Sequence, residues 1–325
     1  MKWVARLLLM LLLFSGCSQQ EAAKKNLFAM DTYMELTAYG PQAGKALDLA
    51  SQELLRLEQQ LDRKGEGEIA QINSEGSGVL SEDGKIVLEQ SLLLAEQTDG
   101  AFDPTVTAFM DVWGFYDNQP QVPEEAELAS ALEQVGYYKV ELEGNFVRTN
   151  GTKLDFGGIA KGYAGDQVCQ ILRDAGVSSA LISLGGNVQA VGRKPDGSLW
   201  NVAVADPEDP NNFACSLAIE NKAVVTSGGY QRNLVCNGVE YHHILDPRTG
   251  FPANTGLLSV TVVGDCGMVC DGLSTALYVM GLEQGLSYWR RYGGFEAIFI
   301  TKDVLYYTPG LHPGDTGGRQ TVCLQ

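Results

Sequence analysis

Asp271 and Thr275 have the types and the spacing that metal binding requires. They lie four positions apart in residues 269–280, where apolar residues recur at helical spacing, so both side chains share one helix face. A carboxylate and a hydroxyl so placed offer two oxygen ligands to Mg²⁺, which completes its shell with water and phosphate oxygens. The alternative is an acid favoured by the helix dipole, next to a threonine bonded to its own helix. Taken alone, the pair favours this alternative.

A second stretch, residues 154–166, supplies features that suit a phosphate. It reads Leu-Asp-Phe-Gly-Gly-Ile-Ala-Lys-Gly-Tyr-Ala-Gly-Asp and predicts a short strand, a turn and an amphipathic helix over residues 160–175. Gly157 and Gly158 let the backbone approach a ligand at the helix start, where unpaired N–H groups favour an anion, and Lys161 adds a positive charge. The stretch matches neither a Walker A loop nor a dinucleotide fingerprint. Without support from elsewhere, a tight connection is the simpler interpretation.

Two of the three histidines, His242 and His243, stand side by side ahead of Asp246. A neutral histidine near a carboxylate can act as a general base at neutral pH. A structural histidine bonded to backbone is the alternative, and the residues leave both open.

An aromatic segment, residues 100–115, contains the carboxylates Asp103 and Asp111. The Asp-Pro step favours a turn that presents Phe102 and Asp103 at a bend. Trp113 and Phe115 either pack in the core, as such residues usually do, or stack on a planar ligand.

The elements that must position these residues do not alternate as in a doubly wound parallel sheet. Helices are predicted after Pro41, over residues 86–97 and after Pro123; residues 27–39 predict a strand, and residues 140–149 a hairpin. Strands and turns dominate from residue 180 to residue 263. We therefore expect an α+β fold with helices packed on largely antiparallel sheets.

The overall composition is that of a globular protein, with 45% hydrophobic and 19% charged residues in a chain of 325. The net charge of −17 argues against sequence-independent binding of nucleic acid and against electrostatic attachment to anionic lipid.

The first residues have the character of a secretory signal. Residues 1–16 combine a basic start, an apolar run too short to span a bilayer permanently, and a small-residue cleavage site at Ser15-Gly16. Cys17 follows directly, as in a bacterial lipoprotein signal, where that cysteine is lipidated. Residues 17–26 would then be a tether, and residues 27–325 one extracytoplasmic domain held at the membrane by its lipid anchor alone.

Six further cysteines permit up to three disulfides outside the cytoplasm, but free buried thiols are equally compatible with a domain of this size. Cys266 and Cys270 lack the spacing of a usual zinc pair, so no zinc site is predicted.

Several motifs in this order resemble the ApbE family, the FAD:protein FMN transferases. The resemblance covers about residues 28–281 and rests on seven segments, which are Met30-Asp-Thr, Gly-Ala-Phe-Asp-Pro-Thr-Val, Leu-Asp-Phe-Gly-Gly-Ile-Ala-Lys-Gly-Tyr-Ala, Ile-Ser-Leu-Gly-Gly-Asn, Thr-Ser-Gly, His-Ile-Leu-Asp-Pro-Arg-Thr-Gly and Asp-Gly-Leu-Ser-Thr-Ala.

The resemblance implies an enzyme that holds FAD in a cleft between two lobes and splits its pyrophosphate with Mg²⁺. FMN would pass to a threonine hydroxyl of an acceptor protein, with release of AMP. The backbone oxygen of Gly158 would bind the metal with Asp271 and Thr275. His243 would lie near the transferred phosphate, where its role as general base is a hypothesis, and Asp271 would be the second catalytic residue. The residues implied to line the FAD are Met30, Ala101, Phe102, Asp103, Asp155 and Lys161.

The chain departs from the family pattern in three places. Asp31 follows Met30 where the family has glycine, and Gly229 replaces an acid or amide after Thr-Ser-Gly. Residues 61–69 lack the serine and the aromatic residue that contribute to the flavin pocket, so flavin contacts near residues 62–67 are expected to differ.

Two other activities fit the same motifs. An FAD pyrophosphatase, which forms FMN and AMP with water, needs the same metal and base. A non-catalytic FAD-binding lipoprotein is less compatible with an intact Asp271 and Thr275 pair. The acceptor implied by the family is a subunit of a membrane electron-transfer complex.

Overall fold

A computed structural model describes residues 21–116, 120–209, 211–231 and 233–325. The predicted signal and Cys17 lie outside the described residues. The predicted tether is too long, because residues 22–26 already belong to a strand whose first residue, Ala22, pairs with Tyr39. Within the described ranges, no helix has the length and apolar character needed to cross a membrane.

The described residues form seven α-helices and sixteen strands. The helices are α1 (Ala43–Leu61), α2 (Glu68–Glu75), α3 (Glu82–Gln97), α4 (Thr107–Trp113), α5 (Glu125–Leu132), α6 (Ala160–Asp174) and α7 (Gly267–Tyr292). The strands are β1 (Ala22–Ala29), β2 (Thr32–Tyr39), β3 (Ser77–Val79), β4 (Glu141–Glu143), β5 (Phe146–Arg148), β6 (Ser179–Leu184), β7 (Asn187–Gly192), β8 (Trp200–Ala205), β9 (Phe213–Ile219), β10 (Ala223–Gly228), β11 (Asn233–Cys236), β12 (Val239–His242), β13 (Ser259–Gly264), β14 (Phe295–Ile300), β15 (Val304–Tyr307) and β16 (Gln320–Cys323).

A nine-stranded sheet forms the centre of the fold, in the order β1-β2-β6-β7-β10-β13-β14-β15-β16. Its strands pair antiparallel except for β15 and β16. Helices α1, α6 and α7 contribute to the main core together with this sheet. The β8–β9 hairpin joins other residues of the sheet in a second core, and α4 and α5 build a third, aromatic one. The predicted α+β class with largely antiparallel sheets is confirmed.

Two tight hairpins are adjacent in this sheet. Met30 and Asp31 turn the chain between β1 and β2 with φ values of 49° and 57°, and Gly185 and Gly186 do so between β6 and β7 with 62° and 95°. Two-residue turns with positive φ match the twist of paired strands. The single strand predicted over residues 27–39 is therefore wrong. A Cβ atom on Gly185 would lie 2.1 Å from the Thr32 hydroxyl, so the two turns pack closely.

Residues 154–156 form no strand, contrary to the prediction. The side chain of Asn73 replaces a strand partner: its Oδ1 accepts from the Leu154 N–H at 2.6 Å, and its Nδ2 donates to the Leu154 carbonyl at 2.8 Å. The Asp155 N–H donates to the Pro104 carbonyl at 2.7 Å. These bonds fix the approach to the Gly-Gly turn.

Several predicted helix boundaries also shift. Helix α3 begins at Glu82 rather than at residue 86, because the Ser81 hydroxyl accepts from the Gly84 N–H at 3.1 Å and caps the helix. Helix α5 ends at Leu132, before the predicted Gly136. By contrast, α6 begins at Ala160 and ends one residue before the predicted Ala175.

Helices α6 and α7 approach each other through glycine. A Cβ atom on Gly162 would lie 2.2 Å from the Gly267 carbonyl oxygen. The Asp166 carboxylate on α6 accepts from the N–H groups of Gly267 at 2.7 Å and Met268 at 2.9 Å, and thus caps α7. The two helices therefore form one unit, in which α6 fixes the start of the helix that carries Asp271 and Thr275.

The substitution Gly162→Ala is expected to lower the free energy of unfolding by about 2 kcal/mol, because backbone atoms must move to admit the methyl group. Urea denaturation measures the change. Gly44→Ala is the matched control, since a Cβ atom there meets nothing within 4 Å and alanine favours the helix. Equal stability of the two variants would contradict the close packing.

Candidate active site

A cleft of about 780 Å³ is lined by the site residues predicted from the sequence. The two hairpin turns line it on the sheet side. Elsewhere it is lined by Ile244, by Leu245 of the aromatic core and by Pro247. The structure brings together in this cleft all ten residues assigned to FAD, metal or catalysis, which are Met30, Ala101, Phe102, Asp103, Asp155, Gly158, Lys161, His243, Asp271 and Thr275.

The three predicted metal ligands come from the Gly-Gly turn and from α7. The Thr275 hydroxyl lies 3.1 Å from the Ser227 hydroxyl, which in turn lies 2.7 Å from that of Ser274. A Cβ atom on Gly158 would be 3.8 Å from the Thr275 Oγ1. Asp271 is one turn away on the same helix and only 5% exposed. Gly158, Thr275 and Asp271 thus line one part of the same cleft.

At the start of α6, one backbone N–H group is bonded to a carboxylate of the protein itself. The Gly162 N–H, in the first turn of α6, donates to Asp271 Oδ2 at 2.8 Å. The Lys161 ammonium lies 3.0 Å from the Gly157 carbonyl. From the sequence these helix-terminal groups are predicted to face a ligand's phosphate, whereas in the structure one of them orients a side chain of α7.

Burial governs the electrostatics of Asp271. It raises the pKa of this carboxyl, while the charge of Lys161 and the Gly162 N–H act in the opposite direction. A cation close to the carboxylate would offset the burial. No group of three or more His, Cys, Asp or Glu residues suited to a metal occurs in the described ranges. An ion bound here would therefore need hydroxyl, carbonyl and ligand oxygens, which are the donors that Mg²⁺ accepts.

Asp103 holds a turn with both of its carboxylate oxygens. Oδ1 accepts from the N–H and the hydroxyl of Thr105 at 2.8 and 2.6 Å, and Oδ2 accepts from the Tyr137 N–H at 2.9 Å. Phe102 and Asp103, which the sequence places at the Asp-Pro bend, both line the cleft, as does Ala101. Burial raises the pKa of Asp103 despite these bonds.

The aromatic residues at positions 113–116 lie partly in the core and partly at the cleft. Trp113 and Phe115 are buried in the aromatic core, and the Trp113 indole donates to the Gly250 carbonyl at 2.7 Å, so the core interpretation is confirmed. Tyr116, which was not predicted from the sequence, lines the cleft instead. Its position directly after the aromatic segment was the only available signal.

Tyr116 connects residues 62–67 to the Gly-Gly turn. The Arg63 guanidinium lies 3.7 Å from the centre of the Tyr116 ring, and the Tyr116 hydroxyl donates to Asp155 Oδ2. Asp155 Oδ1 accepts from the Gly157 N–H at 2.8 Å. A cation–π pair thus lies in the region where the family's serine and aromatic residue are absent.

The two histidines have different surroundings. His243 lines the cleft. The His242 Nε2 instead lies 3.1 Å from the Ala253 carbonyl, and its ring meets the Tyr278 ring edge-on with centroids 5.4 Å apart. A Cβ atom on Gly229 would lie 2.9 Å from both the His242 ring and the Tyr278 hydroxyl. Glycine at 229, one of the departures from the family pattern, therefore makes room for this pair.

Acid is expected to destabilise the fold through His242. Burial lowers the pKa of this imidazole below its unfolded value of about 6.5, so the unfolded chain binds the proton more readily. Stability is therefore highest above pH 6.5 and falls as the pH drops through that value toward the folded pKa. Urea denaturation between about pH 7.5 and 5.5 measures the slope. His242→Gln should flatten it and the exposed His312→Gln should not; an unchanged slope in His242→Gln would contradict the assignment.

The six cysteines in the described ranges, Cys169, Cys215, Cys236, Cys266, Cys270 and Cys323, all carry free thiols. Burial raises the pKa of Cys169 and Cys215 to about 12, as expected for inert structural thiols.

Known proteins similar to this chain belong to one family. The model of the ApbE family matches residues 30–299. An FAD:protein FMN transferase of Treponema pallidum is 31% identical over 84% of this chain and 82% of its own, and one of Klebsiella pneumoniae is 35% identical over 69% and 72%.

Solved structures match over more of the chain. The ApbE protein of Thermotoga maritima superposes with a TM-score of 0.81 at 30% identity, covering 91% of this chain and 98% of its own. The flavinyl transferase ApbE of Pseudomonas stutzeri gives 0.80 at 27% identity, covering 93% and 97%. Because the family model and the Treponema relative each match more than four fifths of the sequence, this chain belongs to the ApbE family.

Proposed function

We propose that this protein is a Mg²⁺-dependent FAD:protein FMN transferase that attaches FMN to a threonine hydroxyl of an acceptor protein and releases AMP. The names of its relatives support FMN transfer. The observation that carries the proposal is the convergence of Gly158, Asp271 and Thr275 in one cleft with Lys161 and His243.

The donors in the cleft fit Mg²⁺. The Gly158 carbonyl, the Asp271 carboxylate and the Thr275 hydroxyl would hold the ion, and water and pyrophosphate oxygens would complete its shell. When bound, the ion supplies positive charge against the phosphoryl oxygens. The Gly162 N–H orients Asp271, and the Ser227 hydroxyl positions Thr275.

The remaining residues of the cleft supply charge and a base. Lys161 would stabilise negative charge on the phosphate oxygens. His243 would take the proton of the threonine hydroxyl as its oxygen bonds to the phosphorus of the FMN half and the bond to AMP breaks. Asp155, held by Tyr116, would keep the Gly157 backbone in place beside the pyrophosphate.

The test combines FAD, Mg²⁺ and an acceptor protein that the Klebsiella pneumoniae transferase flavinylates in a parallel reaction. Chromatography follows AMP, and in-gel flavin fluorescence follows the acceptor. AMP together with a fluorescent acceptor is the expected result. AMP with free FMN alone would replace the transferase by an FAD pyrophosphatase, and bound FAD without AMP would leave a non-catalytic flavin-binding lipoprotein.

We also propose that the protein acts outside the cytoplasm, anchored through lipid on Cys17 to the bacterial cell membrane, and that its acceptor is a subunit of a membrane electron-transfer complex. The basic and apolar character of residues 1–16 and the cysteine that follows support the anchor. Metabolic labelling with a radioactive fatty acid should mark the wild type and not Cys17→Ser. Equal labelling would refute the anchor.

A further inference from the structure

The outer edge of β8 is open and borders the cleft. Within the described ranges, β8 pairs with β9 alone, in a separate two-stranded sheet. Val202, Ala203 and Ala205 of this strand line the same cleft as Ser227 and Thr275. A strand edge with unpaired backbone groups is a template for another extended chain.

The bonds of β9 show which backbone groups of β8 point outward. The Ser216 N–H donates to the Gly314 carbonyl at 2.8 Å, and the Ser216 carbonyl accepts from the Gly314 N–H at 2.9 Å. Both groups of Ser216 therefore point away from β8. Its partner across the pair is Ala203. Ala203 and Ser216 therefore form a non-hydrogen-bonded pair, in which both residues direct their N–H and carbonyl groups away from the partner strand. The N–H and carbonyl of Ala203 thus point to the open edge of β8.

This edge lacks the usual protection against pairing. The strand reads Trp-Asn-Val-Ala-Val-Ala, with neither charge nor proline, and both Ala203 and Ala205 are exposed. By contrast, the edge strand β1 of the main sheet exposes Lys24 and Lys25, and Gly314 covers the outer edge of β9 at Ser216. Lysine on an edge strand is a common guard against strand addition. The edge of β8 that borders the cleft is thus left accessible.

We propose that a threonine-bearing segment of the acceptor protein adds to the outer edge of β8 as an extended strand and enters the cleft along Ala203 and Ala205. This inference rests on the proposed transferase function. A transferase must admit its acceptor into the cleft that would hold the FMN phosphorus of FAD, and β8 lines that cleft. Main-chain bonds give such strand addition its affinity, and the small side chains of β8 leave room for the incoming chain. The threonine oxygen then bonds to the phosphorus of the FMN half, the base takes the hydroxyl proton, and the bond to AMP breaks.

Ala203→Pro tests the inference, because proline removes the outward N–H and places its ring on the open edge. The value of kcat/KM for the acceptor should fall about tenfold or more, while FAD binding changes less than about twofold. Ala218→Pro is the matched control. Ala218 is exposed on β9 and pairs with Asn201. This pair lies two residues from the Ala203–Ser216 pair and is therefore also non-hydrogen-bonded. The Ala218 N–H thus points to the outer edge of β9, on the opposite side of the hairpin.

Hydrogen exchange on the wild type gives a second readout should Ala203→Pro fail to fold. A threonine-to-valine form of the acceptor, which cannot be flavinylated at that position, should slow exchange at the Ala203 amide and leave the Ala218 amide unchanged. Unaltered exchange at Ala203, or wild-type acceptor kinetics in Ala203→Pro, would overturn strand addition while the transferase function stands. A wild-type enzyme that forms neither AMP nor flavinylated acceptor would overturn both.

Discussion

Replacement of Asp271 by asparagine is expected to reduce AMP formation from FAD and FMN transfer to the acceptor by about a thousandfold or more. Asparagine keeps the shape of the side chain and still offers an oxygen to the Gly162 N–H, which now lies 2.8 Å from Asp271 Oδ2. It removes the negative charge that the proposed metal requires. The fold should therefore persist while turnover is lost, as measured by chromatography of AMP at saturating FAD.

Asp166→Asn is the control for the loss of a partly buried carboxylate. Asp166 caps α7 through main-chain N–H groups and does not line the cleft. Its replacement should lower stability, because asparagine offers one acceptor oxygen where the carboxylate offers two, but change the turnover of folded protein less than about threefold. Turnover of Asp271→Asn above about a tenth of the wild type would contradict the metal assignment.

The sequence predicts the parts of this site that depend on local spacing. The four-residue interval between Asp271 and Thr275 places them on one helix face, and α6 follows the glycines as expected. The hydrogen bond from Gly162 to Asp271 connects residues 109 positions apart and leaves no local pattern. The same holds for Asn73, which pairs with Leu154 across 81 positions in place of a strand.

The turn at Met30 and Asp31 was missed for a different reason. Glycine usually marks a hairpin with positive φ at both turn positions, and neither residue here is glycine. Asp31 tolerates the left-handed region better than Met30 does. The Met30 N–H donates to the Glu58 carboxylate on α1 at 2.6 Å, a tertiary contact that supports the turn. Local propensity therefore gave way to packing.

Two of the three departures from the family pattern involve contacts between different segments of the chain. Gly229 meets the His242–Tyr278 pair, and Arg63 stacks on Tyr116. Each contact joins residues from different motifs. One motif alone therefore shows that the family's side chain is absent, but not which residue occupies its place. The second contact also extends through Asp155 to the Gly157 N–H. The Arg63–Tyr116 pair is thus connected to the turn that carries Gly158.

Replacement of His243 by glutamine is expected to lower kcat for FMN transfer by about a hundredfold or more, because the amide cannot take the threonine proton. The KM for FAD should change little, since the proposed role of His243 begins when the hydroxyl attacks. A histidine base works only in its neutral form, so the wild-type rate should fall when acid protonates that base. The residual rate of the variant should lose this dependence. Single-turnover transfer, followed by in-gel fluorescence across pH, measures both effects.

His242→Gln is the matched control because the same substitution falls one residue away, on a ring that contacts Ala253 and Tyr278 rather than the cleft. It should change the pH dependence of stability and leave kcat at neutral pH within about threefold, since only a group that reaches the hydroxyl can serve as its base. Loss of kcat in both variants would mean that the loop positions the site as a unit. Loss of kcat in His242→Gln alone would mean that His242, rather than His243, is the base, and would contradict its contacts with Ala253 and Tyr278.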